Sequence, residues 1–172
     1  MKLRLIVAST LGLAAAVLAS CAQEAAAPVE EAAPDGLPGI TVAHARLVLP
    51  AVKGNPGAGY FDISYDDAGS DRPAMIRGVH VAGAGSAMLH SSREMAGTMH
   101  MEEVMQLPVE NGGSVSFAPG GYHVMAMNLD ENLAPGDTTE FTVTFVGGDK
   151  VSFPAEVRAP GDAEIAEEGA AD

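Results

Sequence analysis

The sequence predicts an all-β domain, a sandwich or a barrel, and three observations carry that prediction. Short β-prone runs recur between turn signals, and one pair of runs alternates on both sides of a glycine turn. No window of about ten or more residues shows the 3.6-residue apolar repeat of a helix.

In chain order the runs are Ile40 to Leu49, Tyr60 to Tyr65, Ala74 to Val81, Ala87 to His90, Thr98 to Leu107, Ser114 to Phe117, Tyr122 to Leu129, Thr138 to Val146 and Val151 to Val157. The last two form the clearest pair: both alternate, and Gly147-Gly148-Asp149 joins them, which is a hairpin signal. Pro154 lacks an N–H for a ladder and predicts an edge or an irregular exit there. Tyr122 to Leu129 follows the turn signal Pro119-Gly120-Gly121 and reads "YHVMAMNL". Its period of two points His123, Met125 and Met127 to one face, although strands favour stiff β-branched and aromatic side chains over methionine.

The ends of the chain read differently. Lys2 and Arg4 precede an apolar run from Leu5 to Ala19 that is short for a membrane span, so residues 1–20 read as a signal peptide. The run ends in Leu18-Ala19-Ser20-Cys21, which resembles the lipobox of bacterial lipoproteins. That resemblance implies that Cys21 is the lipidated N terminus after cleavage. The mature protein would then lie in the bacterial cell envelope, on the periplasmic side, meeting the membrane through its lipid anchor only. Residues 21–39 are a flexible Ala/Pro/Glu tether, with a reach of roughly 25 Å for some eighteen such residues. Residues 40–158 make one domain, and residues 159–172 an acidic, disordered tail.

Removing residues 1–20 takes away Lys2 and Arg4 and leaves seven basic against 23 acidic residues, a formal −16. Such a chain does not seek nucleic acid or anionic headgroups, and its charge speaks for solubility. With Cys21 acylated, the folded part has no thiol. That excludes disulfides, thiolate nucleophiles, zinc-finger sites and blue-copper centres.

All eight methionines after Met1 fall between Met75 and Met127, and four of the five histidines between His80 and His123. Methionine is a common core filler, but here it is interleaved with polar residues and histidines. Thioether sulfur is soft and uncharged and imidazole is borderline, so a His/Met set suits Cu(I) better than zinc, magnesium or calcium. Neither donor is lost to disulfide formation in an oxidising compartment.

Ten residues separate His90 from Met101, 21 separate Met101 from His123, and His123-Val124-Met125 is H-x-M. The set H-x10-M-x21-H-x-M, in the contexts "MLH", "TMHMEEV" and "APGGYHVMAMNL", resembles the signature of the PCu(A)C family of periplasmic copper chaperones. The resemblance covers about residues 40 to 157. It implies a cupredoxin-like Greek-key β-sandwich, with His90, Met101, His123 and Met125 as Cu(I) ligands. It also implies delivery of copper to an oxidase copper-site protein or assembly factor. Some family members carry a His- and Met-rich C-terminal extension; this chain ends instead in Ala-Glu-Ile-Ala-Glu-Glu-Gly-Ala-Ala-Asp.

The remaining candidates read as supporting residues. Met99 and Met127 share faces with predicted ligands but are assigned to packing, Met127 beneath the site, as are Met88 and Met105. Met95 belongs to a loop. His100 points away from Met101, and His44 and His80 are ordinary strand histidines. Glu94, Glu102 and Glu103 form a solvated rim. The chain has no G-x-S-x-G, H-E-x-x-H, P-loop or strand-following G-x-G-x-x-G, and an H-x-E at His100 lacks the C-x-x-C of zinc deaminases, so no enzyme is expected. The alternatives are a copper scavenging or resistance protein and a structural lipoprotein without metal.

Overall fold

The computed structural model describes residues 36–161. Ten strands follow in chain order: β1 (Ile40–Val48), β2 (Gly57–Tyr65), β3 (Ala74–Val81), β4 (Ala84–Met95), β5 (Thr98–Glu103), β6 (Leu107–Val109), β7 (Gly113–Phe117), β8 (Tyr122–Leu129), β9 (Thr138–Phe145) and β10 (Lys150–Arg158). Among the described residues no helix forms. The strands join in the order β5-β4-β8-β7-β2-β1-β10-β9-β3-β6, and β8 also pairs directly with β2. The β1–β10 and β7–β8 pairings are parallel and the others antiparallel.

Aromatic contacts show how this sheet closes on itself. Phe61 on β2 stacks on Phe117 of β7 at 4.3 Å and meets Phe153 of β10 at 5.1 Å and Phe141 of β9 at 6.2 Å. The β2–β7 arm therefore faces the β9–β10 arm, and the layers bury Leu47, Ile63, Ile76, Val81, Val109, Val124, Val143 and Val157 between them. Burying one such side chain contributes about 1.5–3 kcal/mol. Gly59 lies where β2 passes from β8 to β7, and a Cβ there would meet the Phe141 ring at 2.6 Å. The close approach of the two layers requires glycine at that point.

The architecture is the all-β, cupredoxin-like sandwich that the resemblance implies, with different strand limits. Ala87 to His90 is only the middle of β4, which runs on through Ser91-Ser92-Arg93-Glu94-Met95 as one arm of a hairpin with β5. Thr98 to Leu107 divides into β5 and β6 around Val104, Met105 and Gln106. Pro154 does not end β10. It pairs with Glu140 of β9, while the parallel pairing to β1 begins only at Glu156, so the missing N–H falls where β10 has one neighbour. Leu37 packs against the core, so the folded region starts a few residues before Ile40. The signal peptide at 1–20, the lipidated Cys21, residues 22–35 of the tether and residues 162–172 of the tail lie outside the described residues.

Candidate metal centre

The β4–β8 pairing builds the centre. Leu89, Val124 and Ala126 turn inward and belong to the core. The strand period then sends their neighbours to the outer face of the sheet. There His90 stands directly opposite His123, with ring centroids 5.8 Å apart, and the next outward pair is Met88 opposite Met125. Met127 follows on the same face, opposite Ser86. Directly opposed residues have Cβ atoms about 4.5–5.5 Å apart, within reach of a shared ion.

The two imidazoles are prepared differently. His123 is 8% exposed, and its Nδ1–H donates to the carbonyl of Gly121 at 3.2 Å. That bond fixes the tautomer and leaves the Nε2 lone pair free, the arrangement by which an outer hydrogen bond orients a metal-binding histidine. The same carbonyl accepts the backbone N–H of Ser92 at 2.9 Å, tying β4 to the turn that starts β8. On His90 both ring nitrogens are buried without a hydrogen-bond partner, the one such side chain among the described residues. An unmade buried hydrogen bond costs about 1–3 kcal/mol, so the His90 nitrogens hold bonding capacity that no described protein atom uses. Burial, and then the neighbouring His123, hold the His90 pKa below its ordinary value, with Glu103 opposing. A neutral imidazole is the form that binds metal.

The third segment is the edge strand β5, which pairs only with β4. Ala96 and Gly97, both at positive φ, form its two-residue turn. Register places Met101 opposite Ser92, Met99 opposite Glu94 and Glu103 opposite His90, all on the face that carries the histidines. Of the four predicted ligands, His90, His123 and Met125 therefore sit together on two adjacent strands. Met101 is the diagonal neighbour of His90 one strand further out, 54% exposed on an open edge.

Other candidates sort by face. His100 lies opposite Arg93 on the far side of the hairpin, and there Arg93 pairs with Glu102 at 3.1 Å, so Glu102 does not line the site. Glu94 and Glu103 remain on the site face. His80 is exposed on β3. His44 is less ordinary than its run suggests: it has a positive φ at the bulge between Ala43 and Arg46, and its Nδ1 meets Asp62 at 2.8 Å. Met95 is the last residue of β4 and not part of a loop. Met88 and Met127 do not join the core cluster, contrary to the packing role expected of them. Their signal in the sequence was the spacing of two from His90 and from Met125. Among the described residues no three His, Cys, Asp or Glu side chains gather as a metal site.

Fold and donor set together define a β-sandwich with soft-metal donors on its outer sheet face. The chain belongs to the LpqE-like family, which it matches over residues 40–157. No curated protein matches it. Among solved structures it is similar to the apo PmoF2 PCuAC domain (TM-score 0.61, 23% identity, 78% of this chain and 99% of that one). It is similar to the copper-bound PCuAC domain from PmoF2 (0.56, 24%, 71% and 94%). It is also similar to the solution structure of CuI-DR1885 from Deinococcus radiodurans (0.56, 25%, 73% and 81%).

Proposed function

We propose that this protein is an extracytoplasmic Cu(I) carrier, lipid-anchored through Cys21 on the periplasmic side of the bacterial envelope. It hands copper to an oxidase copper-site protein or its assembly factor. The observation that carries the copper reading is the pair His90 and His123, directly opposed across β4 and β8, with both nitrogens of His90 buried and unpartnered. Met125 beside them and Met101 on the adjoining edge strand supply thioethers, giving a neutral donor set matched to a soft monovalent cation. The copper-bound PCuAC domain from PmoF2, and CuI-DR1885, support the same reading by likeness.

The arrangement favours transfer over catalysis. The donors lie on an outer sheet face with one of them at an open edge, whereas catalysis would need substrate-holding groups built around the metal. A recipient can therefore approach Met101 without the sandwich opening. Neutral ligands also release the ion without taking up a compensating charge, and acid weakens binding as the imidazoles compete for protons.

Titration with Cu(I) against a competing chelator tests the site. One Cu(I) per chain is expected, with affinity lowered at least about tenfold in Met101→Ala and at least about a hundredfold in His123→Ala. Equal affinity in all three proteins overturns the ligand set, and a wild type that binds no Cu(I) overturns the function. Incubating the loaded protein with an apo oxidase copper-site domain separates a carrier, which transfers its copper, from a scavenger, which retains it.

A further inference from the structure

We infer that Met88 is a fifth copper donor, one that holds Cu(I) together with His90, His123 and Met125 when Met101 lets go. This rests on the Cu(I) reading above and adds a residue and a step to it.

Three observations meet at Met88. Its register partner is Met125, and the pair lies immediately beside the His90–His123 pair, so two imidazoles and two thioethers form a block on just two strands. Its neighbour Leu89 enters the core, whereas Met88 is half-buried on the outer face and takes no part in the core cluster. A methionine used as filler would sit among the core side chains, where its flexibility closes gaps. Here the inward positions at this level already hold Leu89, Val124 and Ala126. Finally, Met101 stands apart, exposed on the edge strand β5.

The block and the edge ligand therefore differ in how firmly they are held. Met88, His90, His123 and Met125 are fixed by the paired ladder of β4 and β8, while Met101 depends on a hairpin arm bonded on one side only. Release then takes the form of an exchange: the bond from copper to the Met101 sulfur breaks and a bond to the Met88 sulfur forms. Copper stays Cu(I), both thioethers are neutral, and no proton moves. The edge coordination position is vacated for a recipient's ligand while the ion keeps two imidazoles and two sulfurs.

X-ray absorption on the copper-loaded full chain, with chelator competition, tests this. In Met101→Leu the copper is expected to keep two thioether sulfurs, with affinity reduced about tenfold. Adding Met88→Leu is expected to leave one sulfur and remove about another tenfold. A single sulfur in Met101→Leu, with no further change on adding Met88→Leu, overturns the inference. The sulfur count in Met101→Leu needs no substitution at Met88, so it stands whether or not Met88→Leu folds. A wild type that binds no Cu(I) removes the functional reading and this inference together. A wild type that binds it normally, with one sulfur left in Met101→Leu, removes the inference alone.

Discussion

The inner and outer faces of the β4–β8 pair differ by one residue in register and by nearly everything in chemistry. Inward, Leu89, Val124 and Ala126 join a core that holds five phenylalanines, with Phe61 of one layer set against Phe141 and Phe153 of the other. Outward, the same two strands carry imidazoles and thioethers with few partners, including a histidine whose ring nitrogens have none. The core makes stability by burying apolar area. The outer face leaves the two His90 nitrogens unsatisfied, which costs stability.

Separate substitutions test whether the two faces are independent. Phe61→Ala removes the ring that links β2, β7, β9 and β10, and should cost about 3–5 kcal/mol in denaturant unfolding. The protein that remains folded should keep its Cu(I) affinity; a parallel loss of affinity would show that the outer face depends on details of core packing.

Acidification has a smaller effect and acts from the other side. Burial and His123 lower the His90 pKa, so the unfolded chain takes up this proton before the folded one. The apo protein should therefore hold its full stability above the ordinary histidine pKa of about 6.5 and lose part of it as the pH falls below. Denaturant midpoints at about pH 7.5 and about pH 5.5 measure this, and His90→Gln should flatten the difference. An unchanged slope in that variant would place the acid sensitivity elsewhere.

The smallest effect belongs to the far side of the hairpin. The Arg93–Glu102 pair is exposed at both ends, and Arg93→Ala should change stability by no more than about 0.5 kcal/mol and leave Cu(I) binding alone. A large drop in copper affinity there would mean that the hairpin positions Met101 through this ion pair.

Much of the fold was legible because most strands keep one buried face and announce it by alternation. Thr138–Phe145 and the strand after its glycine turn are examples. The second half of β4 was not legible. Ser91 to Met95 has no apolar face, and the segment is a strand because its backbone pairs with β5, a cause that leaves no mark in side-chain pattern. Spacing and context singled out His90, His123 and Met125, and the structure brings these three together. The standing of Met88 and Met127 was hidden for a different reason. An antiparallel sheet usually shows apolar residues inward and polar ones outward. Here the inward positions of β8 include the small Ala126 and the outward ones carry the larger methionines, so hydrophobicity alone assigns the methionines to the interior.

The registers also fix an orientation. Ile40, where β1 begins, pairs with Tyr65 at the end of β2, whereas Arg158 at the end of β10 lies beside Val48. Through β8, which is antiparallel to both, β4 runs in the same direction as β2, so the β4–β5 turn projects toward the end of the sandwich where Ile40 lies. The polypeptide thus enters at the end that carries the hairpin tip and leaves at the other. The β4–β5 hairpin therefore shares an end of the sandwich with the start of β1, and the last residue of β10 is at the opposite end.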